Sequence, residues 1–316
     1  MAVAALFPGQ GSQSVGMLAE LASSFSIVTD TFQQASDTLG YDLWHLVQEG
    51  SEADLNKTTI TQPAMLAAGV AVWRVWLQQG GCEPTAGAGH SLGEYSALVA
   101  ANCLELHHAV QLVAERARLM QSAVPAGEGA MAAVLGADDE LIIKICADVS
   151  ATGLVVEAVN FNSPGQVVIA GQTSAVDQAL AALVEAGAKK SVKLPVSVPS
   201  HCSLMKEASS ILARELSHTL LNAPEFTVLH NVDAKAATTS AGVRSALAEQ
   251  LYKPVRWTQT IEALRDQYQA QLLIEFGPGR VLTGLNRRID RKLEALAIYD
   301  NASLDTALKA VQALQG

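Results

Sequence analysis

The chain has 316 residues, which is long enough to bury the core of one large domain, or of a large and a small one. Hydrophobic residues make up 49% and aromatic residues only 5%, a composition that fits a layered α/β protein better than an all-β one. The net charge of −10 disfavours nucleic-acid binding, because most of the surface would repel a phosphate backbone. No apolar run reaches the length of about 20 residues that a membrane span needs, so no membrane partner is expected.

The cysteines and the N-terminus indicate a cytoplasmic protein. The four cysteines stand far apart in the sequence, with no CxxC pair and no histidine at zinc-finger spacing. The opening MAVAALFPGQG has no basic region before its short apolar run, so a signal peptide is not expected. We therefore predict reduced thiols and no metal.

The first part of the chain predicts strands alternating with helices. Residues 2–7 (AVAALF) are typical of a buried strand, and helical segments follow up to about residue 57. A further helix is predicted over 62–79, and an amphipathic helix over 105–122 carries Arg116.

Between these helices, the stretch AGAGHSLGEYS (86–96) has the pattern of a nucleophile elbow. Ser91 stands between Gly89 and Gly93, and glycines at these positions let neighbouring backbone pass close to a serine on a strand-to-helix turn. The hydroxyl would then project at the C-terminal edge of the sheet, next to a helix N-terminus. The alternative is an ordinary turn with a capping serine.

The middle of the chain predicts a small inserted domain over 125–195. Its elements follow the order βαββαβ, which is typical of a ferredoxin-like unit. The predicted elements are a strand at 130–135, a helix at 138–149, strands at 154–160 and 166–170, a helix at 174–186 and a strand at 190–194. Residues 1–124 and 196–316 would form the large subdomain.

The last part returns to alternating strands and helices, which indicates a mainly parallel sheet. Strands are predicted at 226–231, 271–276 and 295–299, and helices at 202–220, 241–251, 257–268, 280–289 and 303–315.

A nucleophilic serine needs an adjacent base, most often a histidine. His201 is the candidate, because PVSVPSHCSLM places it where an extended segment turns into a helix. Its alternative is a simple capping role, and Cys202 beside it is interpreted as a small buried residue. The surroundings of His45, His218 and His230 suggest no role, and His107 and His108 are consecutive on a helix, so they cannot share a face.

Two further residues could complete an acyl site. The amide of Gln10, between two glycines, could donate to an oxyanion, although a flexible turn is the simpler interpretation. Arg116 could hold a carboxylate with two parallel hydrogen bonds. A surface ion pair with Glu115 or Glu94 is the alternative for Arg116.

Taken together, the motifs resemble those of the bacterial malonyl-CoA:acyl carrier protein transacylases, over nearly the whole chain. The matching stretches are FPGQGSQ (7–13), GHSLGEYSALVAA (89–101), ERARLMQ (115–121), NFNSPGQVVIAG (160–171), PVSVPSH (195–201), QLYKPVRWT (250–258) and FGPGRVLTGL (276–285).

The resemblance implies a role for each matching residue. Ser91 would be acylated, and His201 would be its base. The backbone N–H groups of Leu92 and Gln10 would form the oxyanion hole, in place of the Gln10 side chain. Arg116 would bind the malonyl carboxylate.

Supporting roles follow from the same resemblance. A main-chain carbonyl near Gln250 would orient the histidine in place of an aspartate, which agrees with the lack of any acid identifiable by pattern. Asn160 and Asn162 would help line the cleft between subdomains. The implied fold is an α/β-hydrolase-like large subdomain with a ferredoxin-like insertion.

The expected activity is therefore acyl transfer in fatty-acid biosynthesis. Malonyl-CoA would acylate the serine, and the phosphopantetheine thiol of acyl carrier protein would then take the malonyl group, with no cofactor and with the enzyme as a monomer. A serine hydrolase or esterase, a non-catalytic carrier-protein-binding module, and an acyltransferase of a polyketide or malonate-decarboxylase system are the alternatives. Basic residues are expected to dock the acidic carrier protein, the candidates being Lys189, Lys190, Arg287 and Arg288.

Overall fold

The computed structural model describes residues 2–196 and 198–315, which form an α/β fold with two sheets. In the larger sheet, five strands lie in the order β7-β2-β1-β8-β9, and every neighbouring pair is parallel. The mainly parallel sheet predicted from the sequence is therefore confirmed. Its strands are β1 (Val3–Phe7), β2 (Ala86–Gly89), β7 (Thr227–Leu229), β8 (Leu272–Phe276) and β9 (Glu294–Ile298).

The smaller sheet is antiparallel throughout, with the strand order β4-β5-β3-β6. This order is that of a ferredoxin-like unit, in which the second hairpin strand enters between the first strand and its crossover partner. All four strands fall within 129–193, although the division into subdomains at 124 and 195 stays a prediction. The strands are β3 (Gly129–Leu135), β4 (Val156–Ser163), β5 (Gln166–Gln172) and β6 (Lys190–Lys193).

Helices connect the strands of both sheets. The first seven are α1 (Ala19–Ser24), α2 (Ser26–Leu39), α3 (Leu43–Glu49), α4 (Glu52–Leu55), α5 (Thr58–Gln78), α6 (Gly93–Ala100) and α7 (Leu106–Ser122). The others are α8 (Asp139–Ser150), α9 (Thr173–Glu185), α10 (Lys206–His218), α11 (Ser240–Glu249), α12 (Trp257–Asp266), α13 (Val281–Ile289) and α14 (Asn301–Gln315). Among the described residues, no helix combines the length and the apolar character that crossing a bilayer requires.

Some boundaries differ from the predicted ones for local reasons. Helix α5 begins at Thr58, four residues before the predicted start at 62. The apolar pattern used for the prediction misses its polar first turn, and Pro63 lies inside the helix instead of marking its beginning. Helix α10 begins at Lys206 instead of 202, because His201 adopts a left-handed backbone and a 3₁₀ turn follows over Ser203–Met205. Strand β7 ends at Leu229, so the next two residues leave the sheet instead of extending it.

The core on one face of the large sheet combines many aliphatic side chains with a group of aromatic ones packed against α5. Phe7 stacks on Phe276 at a centroid distance of 5.6 Å, and Trp73 of α5 meets Phe276 edge to face at 5.2 Å. Helix α5 is buried on nearly all sides, which explains why its sequence is apolar without a polar face.

A short backbone pairing joins the smaller sheet to a segment outside both sheets. The N–H of Val255 donates to Val159 O at 2.8 Å, and the N–H of Phe161 donates to Val255 O at 2.9 Å. Strand β4 is thus fixed to the segment that follows α11, and this segment also carries Gln250.

Candidate active site

Ser91 lies on a tight turn between β2 and α6, in a left-handed backbone conformation with φ of 52°. An added Cβ at Gly89 would lie 1.8 Å from the Gly93 carbonyl carbon, and one at Gly93 would lie 2.0 Å from Phe7 O. Side chains at either position would therefore collide with backbone. The two glycines of the motif are needed for the close approach that the elbow pattern predicts.

Ser91 and His201, which are 110 residues apart in the chain, form a hydrogen bond of 2.8 Å from Ser91 Oγ to His201 Nε2. On the other side of the ring, Nδ1 donates to the backbone oxygen of Gln250 at 2.6 Å. Because a carbonyl can only accept, the ring proton lies on Nδ1 and the Nε2 lone pair faces the serine. The geometry is that of a nucleophile and its base, with a carbonyl where a triad would have a carboxylate.

The surroundings of His201 keep the ring neutral. Burial, followed by the positive charge of Arg116, lowers the pKa of His201 to about 3. The ring is 2% exposed. At neutral pH it is therefore an unprotonated acceptor for the serine proton.

Arg116 lies fully buried beside the nucleophile. Its Nη2 donates to Ser91 Oγ at 3.2 Å and to Gln250 Oε1 at 3.0 Å, and its Nη1 donates to Gln62 Oε1 at 2.6 Å. The surface ion pair considered as an alternative is wrong, since Glu115 instead pairs with Arg118 at 2.6 Å.

All hydrogen-bond acceptors of Arg116 within the described chain are neutral amide or hydroxyl oxygens. Its Nε is buried with no acceptor in residues 2–196 or 198–315. A buried guanidinium costs free energy unless it is paired, so this position suits a ligand carboxylate.

The predicted oxyanion hole consists of two backbone N–H groups, those of Leu92 and Gln10. Neither the Leu92 amide nor the Gln10 amide donates to an acceptor within the described part of the chain. The Gln10 side chain accepts from Thr58 Oγ1 at 2.9 Å through its Oε1. The loops carrying the two amides are in close contact, because a Cβ at Gly9 would lie 2.5 Å from His90 O.

Asn160 and Asn162 are both buried on β4. His90 Nε2 donates to Asn162 Oδ1 at 2.7 Å, which connects β4 directly to the elbow. Asn160 Oδ1 has no hydrogen-bond donor among the residues that the structure describes. That the two asparagines line a substrate cleft stays a prediction.

Three buried side chains near the elbow were missed by the sequence reasoning. Glu94 is fully buried on α6 and accepts from His230 Nδ1 at 2.7 Å and from the Asn231 N–H at 2.9 Å. Asn231 Oδ1 in turn accepts from the Ser91 N–H at 2.6 Å. One signal was present in the sequence: a carboxylate in the otherwise apolar run after the elbow must be buried if that helix is buried.

The four predicted docking residues are exposed and lie around one turn of the small sheet. Arg288 donates to Gln166 at the start of β5. Gly165, just before it, accepts from the Gly136 N–H at 2.8 Å, and a Cβ at Gly136 would meet Lys189 Cγ at 2.6 Å. The basic pair at the start of β6 and the basic pair on α13 therefore both lie near the β4–β5 turn. We call Lys189, Lys190, Arg287 and Arg288 the basic patch.

Cys202 is unsuited to nucleophilic chemistry although it follows His201. It is fully buried, and burial raises the pKa of its thiol to about 12. Its Sγ donates to Pro199 O at 3.1 Å. Within residues 2–196 and 198–315, no group of three or more His, Cys, Asp or Glu side chains is arranged to hold a metal ion.

The chain is similar to known proteins over nearly its whole length. The acyl transferase domain family matches residues 5–292. A malonyl CoA-acyl carrier protein transacylase of Salmonella typhimurium is 55% identical over 303 residues, covering 96% of this chain and 97% of that protein. The protein of the same name from Bacillus subtilis is 40% identical, covering 98% of this chain and 97% of its own.

Solved structures show the same fold. An acyl carrier protein S-malonyltransferase from Vibrio cholerae superimposes with a TM-score of 0.94 at 56% identity, over 97% of this chain and 99% of that one. A malonyl-transacylase in complex with a type II PKS acyl-carrier protein gives a TM-score of 0.96 at 54% identity, over 98% of this chain and 100% of that one.

Proposed function

The chain belongs to the acyl transferase domain family, and on this premise we propose that it moves a malonyl group from malonyl-CoA to the phosphopantetheine thiol of acyl carrier protein. The relatives that cover almost all of the chain carry this activity in their names. The observation that carries the proposal is the buried guanidinium of Arg116, 3.2 Å from Ser91 Oγ and without a carboxylate partner among the described residues.

In the first half-reaction Ser91 is the nucleophile and His201 the general base. The Oγ attacks the thioester carbonyl of malonyl-CoA while Nε2 takes the hydroxyl proton. The C–S bond then breaks, the proton passes to the departing CoA sulfur, and a malonyl ester of Ser91 remains. The Nδ1–H bond to the Gln250 carbonyl stabilises the imidazolium that forms in between.

The oxyanion of the tetrahedral intermediate would lie between the Leu92 and Gln10 amides. Two such donors stabilise negative charge only as it develops, and losing one costs about 100- to 1000-fold in rate in a comparable serine enzyme. Leu92 is also the N-cap residue of α6, so the helix dipole adds to the stabilisation of the oxyanion.

Arg116 would select the acyl group by its terminal charge. A malonyl carboxylate pairs with the guanidinium, whereas an acetyl group leaves it buried and unpaired, at a cost on the order of 3–5 kcal/mol. The carboxylate would also offset the positive charge that lowers the pKa of His201, so that the base is stronger when the correct substrate is bound.

In the second half-reaction the carrier-protein thiol attacks the serine ester, and His201 takes the thiol proton and returns it to Ser91 Oγ. The exposed basic patch would hold the acidic carrier protein beside the site. The reaction as proposed uses no metal or cofactor, and we propose that it proceeds in the cytoplasm with the enzyme as a monomer.

The identity of the carrier protein has two candidates. Fatty-acid synthesis is the expected pathway, and the relatives' names fit it. A type II polyketide carrier protein is the second candidate, because the enzyme of a structure 54% identical to this chain is bound to one. Transfer rates measured with purified carrier proteins of both types would decide between them.

The proposal is tested by incubating the protein with malonyl-CoA and measuring the intact mass. We expect a malonyl adduct on the wild type that is absent from Ser91→Ala. The matched control is Ser96→Ala, since Ser96 is a buried serine of α6, the helix that follows the Ser91 turn, and lies outside the proposed chemistry. An adduct that survives in Ser91→Ala would refute the mechanism, and release of malonate faster than transfer to carrier protein would indicate a hydrolase.

A further inference from the structure

Glu94 is a buried carboxylate that the proposed mechanism does not use. It lies in the first turn of α6, three residues after the nucleophile, and its side chain is 0% exposed. A buried carboxylate has to be compensated by donors. The three donors that surround it lie on residues 230, 231 and 250, far away in the sequence.

One connection runs from Glu94 through Asn231 to the elbow. Glu94 Oε2 accepts from the backbone N–H of Asn231 at 2.9 Å. The Asn231 side chain accepts from the Ser91 N–H at 2.6 Å and donates to Gly89 O at 2.6 Å. This one amide therefore holds the backbone on both sides of His90, where Ser91 adopts its left-handed conformation.

A second connection runs from Glu94 through Gln250. The Gln250 Nε2 donates to Glu94 Oε2 at 2.8 Å and to Ser91 O at 2.9 Å. The Oε1 of the same side chain accepts from Arg116, and its backbone oxygen accepts from His201. Gln250 thus contacts the nucleophile, the base and the arginine, and its amide orientation is set by Glu94.

His230 completes the surroundings of the carboxylate. It is 3% exposed and donates from Nδ1 to Glu94 Oε1 at 2.7 Å. Burial lowers the pKa of His230, but the hydrogen bond and the charge of Glu94 outweigh it and raise the pKa above its usual value. Both carboxylate oxygens therefore have donors, which leaves Glu94 little freedom to move.

We propose that Glu94 is a positioning residue for the acyl-transfer site. Acting through Asn231 and Gln250, it holds the Ser91 backbone in its strained conformation and keeps the Gln250 carbonyl aligned with His201. It contacts no reacting atom. The natural substrate named in this inference rests on the proposed function. The structural argument rests only on the contacts of Glu94 and on the geometry of Ser91 and His201.

The direct test is Glu94→Gln, which keeps the shape of the side chain but replaces one acceptor oxygen by a donor. Misplacement of catalytic groups by about 1 Å costs on the order of 100-fold, so we expect the rate of serine acylation to fall by about 10- to 100-fold. The KM for malonyl-CoA and the preference for malonyl over acetyl should change less than about threefold, because Arg116 keeps its contact with Gln62. If Glu94 were merely structural, Glu94→Gln would lower the stability of the protein without lowering the acylation rate selectively over the KM.

The matched control is Glu275→Gln. Glu275 is also a 0% exposed carboxylate, and its acceptors are satisfied by the backbone N–H groups of Leu282 and Thr283. This variant should lower the melting temperature while leaving acylation per folded molecule within about threefold of the wild type. Should Glu94→Gln fail to fold, Glu94→Asp, which keeps the charge on a shorter side chain, provides the same comparison.

A fluorophosphonate probe separates this inference from the proposed function. It labels an activated serine whatever the natural acyl group is, so labelling of Ser91 should slow in Glu94→Gln as acylation does. Wild-type rates for Glu94→Gln in both assays would overturn the inference alone. A wild type that reacts with the probe but forms no malonyl adduct would overturn the proposed function alone.

A double variant tests the connection through Asn231. Because Glu94 acts partly through this residue, Glu94→Gln combined with Asn231→Ala should be impaired less than the product of the two single effects. Rate losses that multiply in full would show that the two residues act independently, and would contradict the proposed connection.

Discussion

Replacing Arg116 by alanine should convert a malonyl-selective site into one that favours acetyl groups. The guanidinium is fully buried and has only neutral acceptors among the described residues, so a malonyl carboxylate would be its main compensation. Truncating one partner of a buried charge pair costs about 3–5 kcal/mol, which corresponds to a loss of roughly 150- to 4000-fold in kcat/KM for malonyl-CoA. Acetyl-CoA has no such pairing to lose.

The same substitution should change the pH dependence. Arg116 is the second cause, after burial, of the low pKa of His201. Removing a neighbouring positive charge favours the protonated ring, so the pKa of His201 rises towards its ordinary value of about 6.5. The base works only when unprotonated, and the acid limb of kcat/KM for acetyl-CoA should therefore move to higher pH.

The assay is serine acylation by malonyl-CoA and by acetyl-CoA, followed by rapid quench and intact mass between about pH 4 and pH 9. The matched control is Arg118→Ala on the same helix, since Arg118 is exposed and paired with Glu115. An unchanged malonyl-to-acetyl ratio in Arg116→Ala would refute the reasoning, and so would an equal change in Arg118→Ala.

His201→Gln should make the free energy of unfolding less sensitive to acid. The pKa of His201 is about 3 in the folded protein and about 6.5 in the unfolded chain, so the wild type loses up to about 1.4 kcal/mol per pH unit as the pH falls between these values. Urea titrations at several pH values would measure this slope. An equally steep slope in the variant would contradict the assignment. In Gly9→Ala the new Cβ would lie 2.5 Å from His90 O and should push apart the loops that carry the Gln10 and Leu92 amides. We expect acylation to slow by about 100-fold while a thermal melt still shows a folded protein. An unimpaired rate would show that the loops tolerate the displacement. Charge reversal of the basic patch should raise the KM for carrier protein several-fold and leave acylation by malonyl-CoA unchanged, whereas an unaltered KM would exclude the patch as the docking surface.

Local patterns predicted much of this protein because the relevant physics is local. The glycines of GHSLG are required by close backbone approach within a few residues, and alternating apolar runs distinguish the buried strands from the helices. Its position before a helix made His201 a candidate base, and the resemblance assigned it to Ser91, a pairing that no local rule supplies across 110 residues. The structure brings the two side chains together as expected.

The residues around the catalytic pair were harder to predict. His230 was set aside because its polar or mixed surroundings suggest no role, and Glu94 was considered only as a partner for Arg116. Both assignments depend on β7 lying next to β2, which places the residues after β7 against the elbow. Strand order is a non-local property, and spacing along the chain does not reveal it.

By itself, the sequence determined the α/β class, the elbow with its serine, and the presence of a histidine and an arginine suited to acyl transfer. Only the tertiary structure decided which groups surround them. It buried Arg116 beside Ser91, placed a backbone carbonyl behind His201, and put Glu94 at the centre of a network joining residues 91, 231 and 250. The physical reason is that a buried charge must find its donors and acceptors wherever the packed chain brings them, and these contacts cross from one strand or helix to another.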